Sequence, residues 1–341
     1  MNRSLAAAAL VIFRLAGATP AEYRQHVGIY VWGQLRQTPA GALEQAASDV
    51  KRLGADRVVR VYIGPGALWD PADARDNSPL DVKVRRADYR AFVAAFPVVM
   101  LTAYDTASYG KYKNGRLDAR QLAATRDEFR RFAIELAKTP GRKIVSNWEF
   151  ENDCGGNWAA CREYYQARLD GVRQGRDEAR KLGYPGEVLS AFEFTIVPGY
   201  VGKPSGLVEV GAKLASVDYF SYSCWASIGW DYDAATMAKS MASGMHVLRD
   251  FADKQHLSAR FIIGEFGEYW DQHRTAARME ALVNAALENG VDYLFDWVLY
   301  DQPGKRDDHG RDASHFGKYT LDGALTPQGT AFRNWFAGAV H

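Results

Sequence analysis

The chain has 341 residues, of which 47% are hydrophobic and 24% charged, with a formal net charge of +1. That is enough chain and enough apolar sequence for one large barrel or two ordinary domains. A balance so near neutrality argues against nucleic acid or an anionic membrane as partner. Nine Trp and eighteen Tyr stand out, because aromatic rings offer flat apolar faces with a polar handle, which suit sugar rings.

In chain order, residues 1–20 read as an export signal. Met1-Asn2-Arg3 supplies a charged start, residues 5–13 a short apolar run ended by Arg14, and Ala16-Gly17-Ala18 small residues where cleavage could fall. The run is too short to span a bilayer. The expectation is a secreted or periplasmic protein whose folded domain is 21–341; the competing reading is an N-terminal helix packed on that domain.

Eight β-rich runs follow, at 26–34, 58–64, 97–105, 143–149, 188–197, 217–225, 260–266 and 291–301. Between them apolar residues recur at helical spacing. Leu43, Ala46, Ala47, Val50 and Leu53 precede Gly54; Phe129, Phe132, Ala133 and Leu136 precede Pro140-Gly141; Met279, Leu282, Val283, Ala286 and Leu287 precede Asn289-Gly290. Strand and helix alternating in this way, with no Pro/Ser-rich linker, predict an α/β fold of one domain, a (β/α)₈ TIM barrel. An open doubly wound sheet is the competitor, but Trp32-Gly33-Gln34-Leu35 after the first run is no phosphate-cradling glycine loop.

In such a barrel every strand points its C-terminus at one face, where the chemistry sits. The tips there offer Arg60, then Asn147, Trp148 and Glu149, then Glu193, then Tyr222 and Trp225, then Glu265, and finally Trp297, Tyr300 and Asp301. Ile262-Ile263-Gly264-Glu265-Phe266-Gly267 is the most telling stretch, since a β-branched run ends abruptly in a carboxylate flanked by glycines. Strand alternation puts Asn147 with Glu149 on one face, and Phe261 with Ile263 and Glu265 on another. Two carboxylates from separate strands around one mouth suit retaining glycoside hydrolysis, which needs them about 5–5.5 Å apart.

Across nearly its whole length the chain resembles the clan of (β/α)₈ glycoside hydrolases with an Asn-Glu acid/base on strand four and a Glu nucleophile on strand seven. Gly264-Glu265-Phe266-Gly267 matches the nucleophile motif, and His315-Phe316-Gly317-Lys318 with Leu321-Asp322-Gly323 and Thr326-Pro327 resembles the end of such barrels. More narrowly, Asn147-Trp148-Glu149, Glu193, Ser221-Tyr222-Ser223 and the long helix at 164–181 look like a little-described bacterial group within the clan. The resemblance implies catalytic Glu149 and Glu265, with Arg60, Asn147, Trp148, Glu193, Tyr222, Trp225 and Trp297 binding substrate. It implies a carbohydrate partner and no cofactor; no Cys/His spacing suggests zinc either.

Strand four departs from the clan, whose usual Asn-Glu-Pro is absent. Asn147-x-Glu149, a lone Glu151, and Asn152-Asp153 compete for the acid position, and Glu149 is favoured because Asn147 would share its face. Glu193 reads equally well as a sugar ligand or as a buried partner for Arg60. A phenol at Tyr222 could orient the nucleophile, and Trp32, Tyr104 and Trp270 could form a lid or wall. His26, His246 and His256 lack ligand spacing and read as scaffold or solvent-facing, 116–131 as the solvated side of a helix, and 305–312 with His309 as a loop. Cys154 and Cys161 bracket a loop short enough for a disulfide in an oxidising compartment, leaving Cys224 free. The irregular fourth strand also leaves a second function class open, a carbohydrate-binding barrel without catalysis.

Overall fold

In a computed structural model of the protein, residues 18–65, 77–200, 202–229, 231–257, 260–268, 275–304 and 314–338 are described. The expected signal up to residue 17, Trp270 and the whole of the 305–312 loop lie outside them. Eight parallel strands close into a single barrel in sequence order. They are β1 (Val27–Val31), β2 (Val58–Ile63), β3 (Val98–Ala103), β4 (Gly141–Ser146), β5 (Gly186–Phe194), β6 (Tyr219–Ser223), β7 (Phe261–Phe266) and β8 (Tyr293–Trp297). The single-domain TIM barrel is the fold this chain adopts.

The helices follow their apolar stripes. Ala42–Arg52 buries Leu43, Ala46, Ala47 and Val50, and Gly54 follows at φ +93°, a conformation that favours glycine. Ala119–Ala137 starts at a capping box: Asp118 accepts from the Gln121 amide while the Gln121 side chain accepts from the Asp118 amide. It lies against Trp158–Lys181, where Gly171 and Gly175 carry no Cβ. A Cβ there would stand 2.3 Å from the Arg126 carbonyl oxygen and 2.2 Å from that of Arg130.

The first described residues pack on the barrel. Thr19 caps the helix Pro20–His26 in a capping box with Glu22, and the Ala18 amide donates to Asn284 Oδ1 at 3.0 Å. Tyr23 stacks on Trp335 of the last helix, Pro327–Ala337, at 6.3 Å between ring centres. Ala18, Thr19 and Pro20, within the expected 1–20 signal, thus make contacts of their own in the full chain.

The barrel interior changes character within one two-residue step on strand after strand. Its apolar layer is Val58, Met100, Ile144, Ala191, Tyr219, Ile262 and Phe295, with Leu189 and Tyr293 deeper still. Two residues further along the same strands stand Arg60, Thr102, Ser146, Glu193, Ser221, Gly264 and Trp297. Alternation keeps both sets on the inner face. The floor of the barrel is thus apolar, and polar groups begin where the strands approach their C-terminal ends.

Candidate active site

Glu193 is the hub of the polar layer. Its carboxylate meets the Arg60 guanidinium end-on, with Nη1 to Oε2 and Nη2 to Oε1 both at 2.8 Å. Ser221 Oγ donates to Oε2 at 2.8 Å and the Glu149 amide to Oε1 at 3.3 Å. Arg60 spends its remaining donors on Thr102 Oγ1 and on the carbonyls of Gly264 and Asn147, and its plane lies over the Tyr30 ring at 4.2 Å. Both side chains are fully buried. With four donors on its two oxygens, Glu193 has no capacity left for a sugar hydroxyl. The expectation that it binds substrate gives way to the other reading of this residue, a partner for Arg60.

Asn147 also turns out to be structural. Its side-chain amide accepts from the Glu193 amide at 2.9 Å and donates to the Glu193 carbonyl at 2.8 Å. It thereby extends the β4–β5 ladder, whose last backbone pair is Val145 with Ser190. β4 ends at Ser146, so Asn147, Trp148 and Glu149 follow the strand and do not alternate along it as predicted. Glu149 instead precedes the short helix Phe150–Cys154.

That turn sends the three competing carboxyls in different directions. Glu151 accepts from the amides of Thr195, Ile196 and Gly206 and ties down the loop after β5. Asp153 accepts from the hydroxyls of Tyr112 and Tyr165 and pairs with Lys113 at 2.9 Å. Glu149 Oε1 accepts from Ser223 Oγ at 2.6 Å, and its Oε2 from Asn152 Nδ2. Ser223, which donates to Glu149, stands opposite Glu265 in the β6–β7 register, so these two carboxyls share the mouth, and the Glu149 charge adds to burial in raising Glu265. A disulfide, Cys154–Cys161, closes the segment behind the Glu149 turn, and Cys224 is buried and free.

Glu265 reaches the mouth by a route the sequence hid. Phe261 and Ile263 face the outer core while Ile262 faces the barrel axis. The register on β6 then skips from Ile263 opposite Tyr222 to Glu265 opposite Ser223. This bulge turns Glu265 away from the face of Phe261 and Ile263 that simple alternation gave it. Its Oε2 accepts from Trp225 Nε1 at 3.3 Å, and Oε1 lies 3.8 Å from Arg60 Nη1.

Gly264 is what lets the hub form beside that bulge. A Cβ on it would lie 1.8 Å from Glu193 Oε2 and 2.4 Å from Ser221 Oγ. Gly264→Ala is therefore expected to push the carboxylate off Arg60 and leave a buried charge unpaired, at about 3–5 kcal/mol. Thermal melting checks this; a variant as stable as the parent would mean that Glu193 can step aside freely.

Tyr222 is a second correction. Tyr219, Ser221 and Ser223 face inward, so Tyr222 points into the outer core, stacks on Phe194 at 5.7 Å and bonds Ser227 Oγ at 3.0 Å. It does not orient Glu265. Ser221 and Ser223 hold the inward positions instead, and the sequence reading missed both as site residues. The available signal was small hydroxyls spaced two apart in a strand buried on both faces, where each must find a polar partner.

The aromatic residues divide between wall and rim. Trp297 is buried at the end of β8, edge-on to Tyr30 at 5.4 Å and tilted against Trp32 at 4.8 Å. Trp225 is half-buried and meets Phe316 edge-on at 5.8 Å. Trp148, at 36% exposure, keeps its ring at the surface while the Tyr104 hydroxyl accepts from its amide at 2.9 Å. Lys318, from the predicted closing motif, pairs with Asp296 behind β8, and both are fully buried.

Burial dominates the electrostatics. The Glu149 carboxyl is pushed up to about 7 by desolvation, with the hydrogen bond from Ser223 opposing and the Glu193 charge adding. Glu265 is held well above the usual carboxylate range by burial first and by the Glu149 charge second, against the pull of Arg60. Arg60 is committed to Glu193 by two hydrogen bonds, and Tyr222 faces away from Glu265 and bonds Ser227. Two buried carboxyls that repel one another titrate as a pair. Among the described residues no group of His, Cys, Asp and Glu is arranged to hold a metal ion.

The class defined so far is a TIM barrel with two buried carboxyls, Glu149 and Glu265, at its C-terminal mouth. No protein-family model matches the sequence, and no curated protein matches it. Among solved structures, a variant of the GH5_18 glycoside hydrolase of Bifidobacterium longum subsp. longum ATCC 55813 in complex with Manβ1-4GlcNAc is similar. It has a TM-score of 0.60 at 14% identity over 92% of this chain and 78% of that one. GH5_18 from Streptomyces cattleya in complex with GlcNAc gives 0.59 at 14% over 96% and 82%. An exo-β-1,4-mannosidase from Opitutaceae bacterium strain TAV5 gives 0.57 at 13% over 92% and 59%. At such identities the likeness is one of fold.

Proposed function

We propose that this protein is a retaining glycoside hydrolase acting on an oligo- or polysaccharide. The observation that carries the reading is the pair itself: Glu149 and Glu265 are both buried, and Ser223, which bonds Glu149 at 2.6 Å, stands opposite Glu265 in the β6–β7 register. In the first step the Glu265 carboxylate attacks the anomeric carbon, while Glu149 gives its proton to the departing glycosidic oxygen. In the second, water gives a proton to Glu149 and attacks the same carbon, releasing Glu265. Ser223 is suited to Glu149 in both roles, because a hydroxyl donates to the carboxylate and accepts from the acid. The buried Trp297 and the half-buried Trp225 offer apolar faces to the sugar, and Trp148 offers one at the rim.

The fold shared with glycoside hydrolases supports this reading, and the sugars in two of those structures put β-mannosides and N-acetylglucosaminides first among substrates to try. Export belongs to the same proposal, supported by the Cys154–Cys161 disulfide. The test is hydrolysis of a panel of aryl β-glycosides and plant, fungal and bacterial polysaccharides by the full chain. Turnover of at least one, with retained anomeric configuration, is expected. Sugar binding without turnover anywhere in the panel would establish a carbohydrate-binding barrel instead.

A further inference from the structure

Three carboxyls and one guanidinium occupy the polar layer, and the geometry pairs them unequally. Arg60 and Glu193 form a closed, two-bonded ion pair, whereas Arg60 stands 3.8 Å from Glu265. Glu149 and Glu265 are left with uncharged donors: Ser223 and Asn152 for one, Trp225 for the other. We propose that Glu193 is a positioning residue which, by holding Arg60, leaves one proton to be shared between Glu149 and Glu265. This rests on the hydrolase reading for its consequence in catalysis, since a retaining pair works with one carboxyl protonated and one ionised.

The physical case is charge balance in a buried space. Were all three carboxyls ionised, two negative charges would remain uncompensated out of water, a costly state that proton uptake relieves. The facing groups are few. Besides the three carboxyls and Arg60, β1 contributes the Tyr30 phenol under the guanidinium, β3 and β6 contribute the uncharged hydroxyls of Thr102 and Ser221, and the residue after β6 contributes the buried Cys224 thiol, which burial and the Glu265 charge hold above its ordinary range and so neutral. Burial holds that phenol above its ordinary range, so it stays neutral while the carboxyls titrate. Glu193 also accepts from the Glu149 amide, so the residue that sets the charge fixes the turn carrying the acid.

The test is Glu193→Gln, which preserves shape and removes one negative charge. Arg60 is then free to serve Glu265, and both members of the pair hold their proton less tightly. The acid and alkaline limbs of the kcat/KM profile are expected to move together to lower pH, by about one unit or more. Infrared titration of the buried carboxylic-acid carbonyl band is expected to show the same displacement without any substrate. Glu193→Asp, which keeps the charge, should restore limbs close to the parent's. A folded Glu193→Gln protein whose limbs and infrared midpoint stay in place would overturn the proposal.

Should Glu193→Gln not fold, Ser221→Ala removes a donor from Glu193 but leaves its charge. The infrared midpoint is then expected to rise, and an unmoved midpoint overturns the proposal equally. A parent that cleaves no glycoside would sink the hydrolase reading alone, because the infrared band still decides whether the proton is shared.

Discussion

Replacing Glu265 with Ala is expected to lower kcat/KM on every substrate by on the order of 10⁵-fold or more, because no glycosyl-enzyme can form. Azide should restore part of the rate on an activated aryl glycoside by attacking the anomeric carbon from the emptied side, giving a glycosyl azide of inverted configuration. Fold is not expected to suffer. A carboxyl whose pKa folding raises contributes stability that is present below its unfolded value and lost as pH climbs through its folded one. Above neutral pH, Glu265→Gln should therefore melt no earlier than the parent. A variant that keeps its activity, or loses it together with its fold, would remove Glu265 from the chemistry.

Glu149→Ala separates the two roles. General acid catalysis contributes about 10²–10⁴-fold, but only where the leaving oxygen needs a proton. On a natural oligosaccharide the loss should reach that range. On a dinitrophenyl glycoside, whose leaving group departs unaided, the first step should be nearly normal, and a slowed second step should let the glycosyl-enzyme accumulate. The motivation is positional: Glu151 is committed to three backbone amides and Asp153 to two tyrosines and a lysine, whereas Glu149 bonds Ser223, the residue opposite Glu265. An equal loss on both substrates would show that Glu149 is not the proton donor.

The fold was legible because its signals are long and repeated. Each of the eight β-rich runs contains or overlaps one strand, and the three helical stripes recur in helices. Glu265 and Arg60 could also be placed at the mouth, since a charged residue closing or interrupting a β-branched run has few other uses. What failed was parity. Both faces of a parallel barrel strand are buried, so apolar residues alone do not say whether Tyr222 or Ser221 faces the axis. A bulge at Gly264-Glu265 reverses the count without leaving a mark in composition. β4 misled for a different reason. Asn147 continues the sheet with its side chain after the backbone has left it, so the predicted run ends three residues beyond the strand.

Glu193 shows the limit most plainly. Its place at a strand tip was readable, but whether a buried carboxylate meets a sugar or an arginine depends on what the other strands bring to the same height. Here Arg60, Ser221 and the missing side chain of Gly264 decide it.

The most direct test of the carboxyl assignment is to trap the intermediate. The protein is incubated with activated 2-deoxy-2-fluoro glycosides of the sugar it cleaves, quenched, digested and sequenced by mass spectrometry. A single fluoroglycosyl ester on Glu265 is expected, absent from Glu265→Ala and accumulating in Glu149→Ala. An ester on any other residue, or no adduct with product released in the inverted configuration, would contradict the assignment.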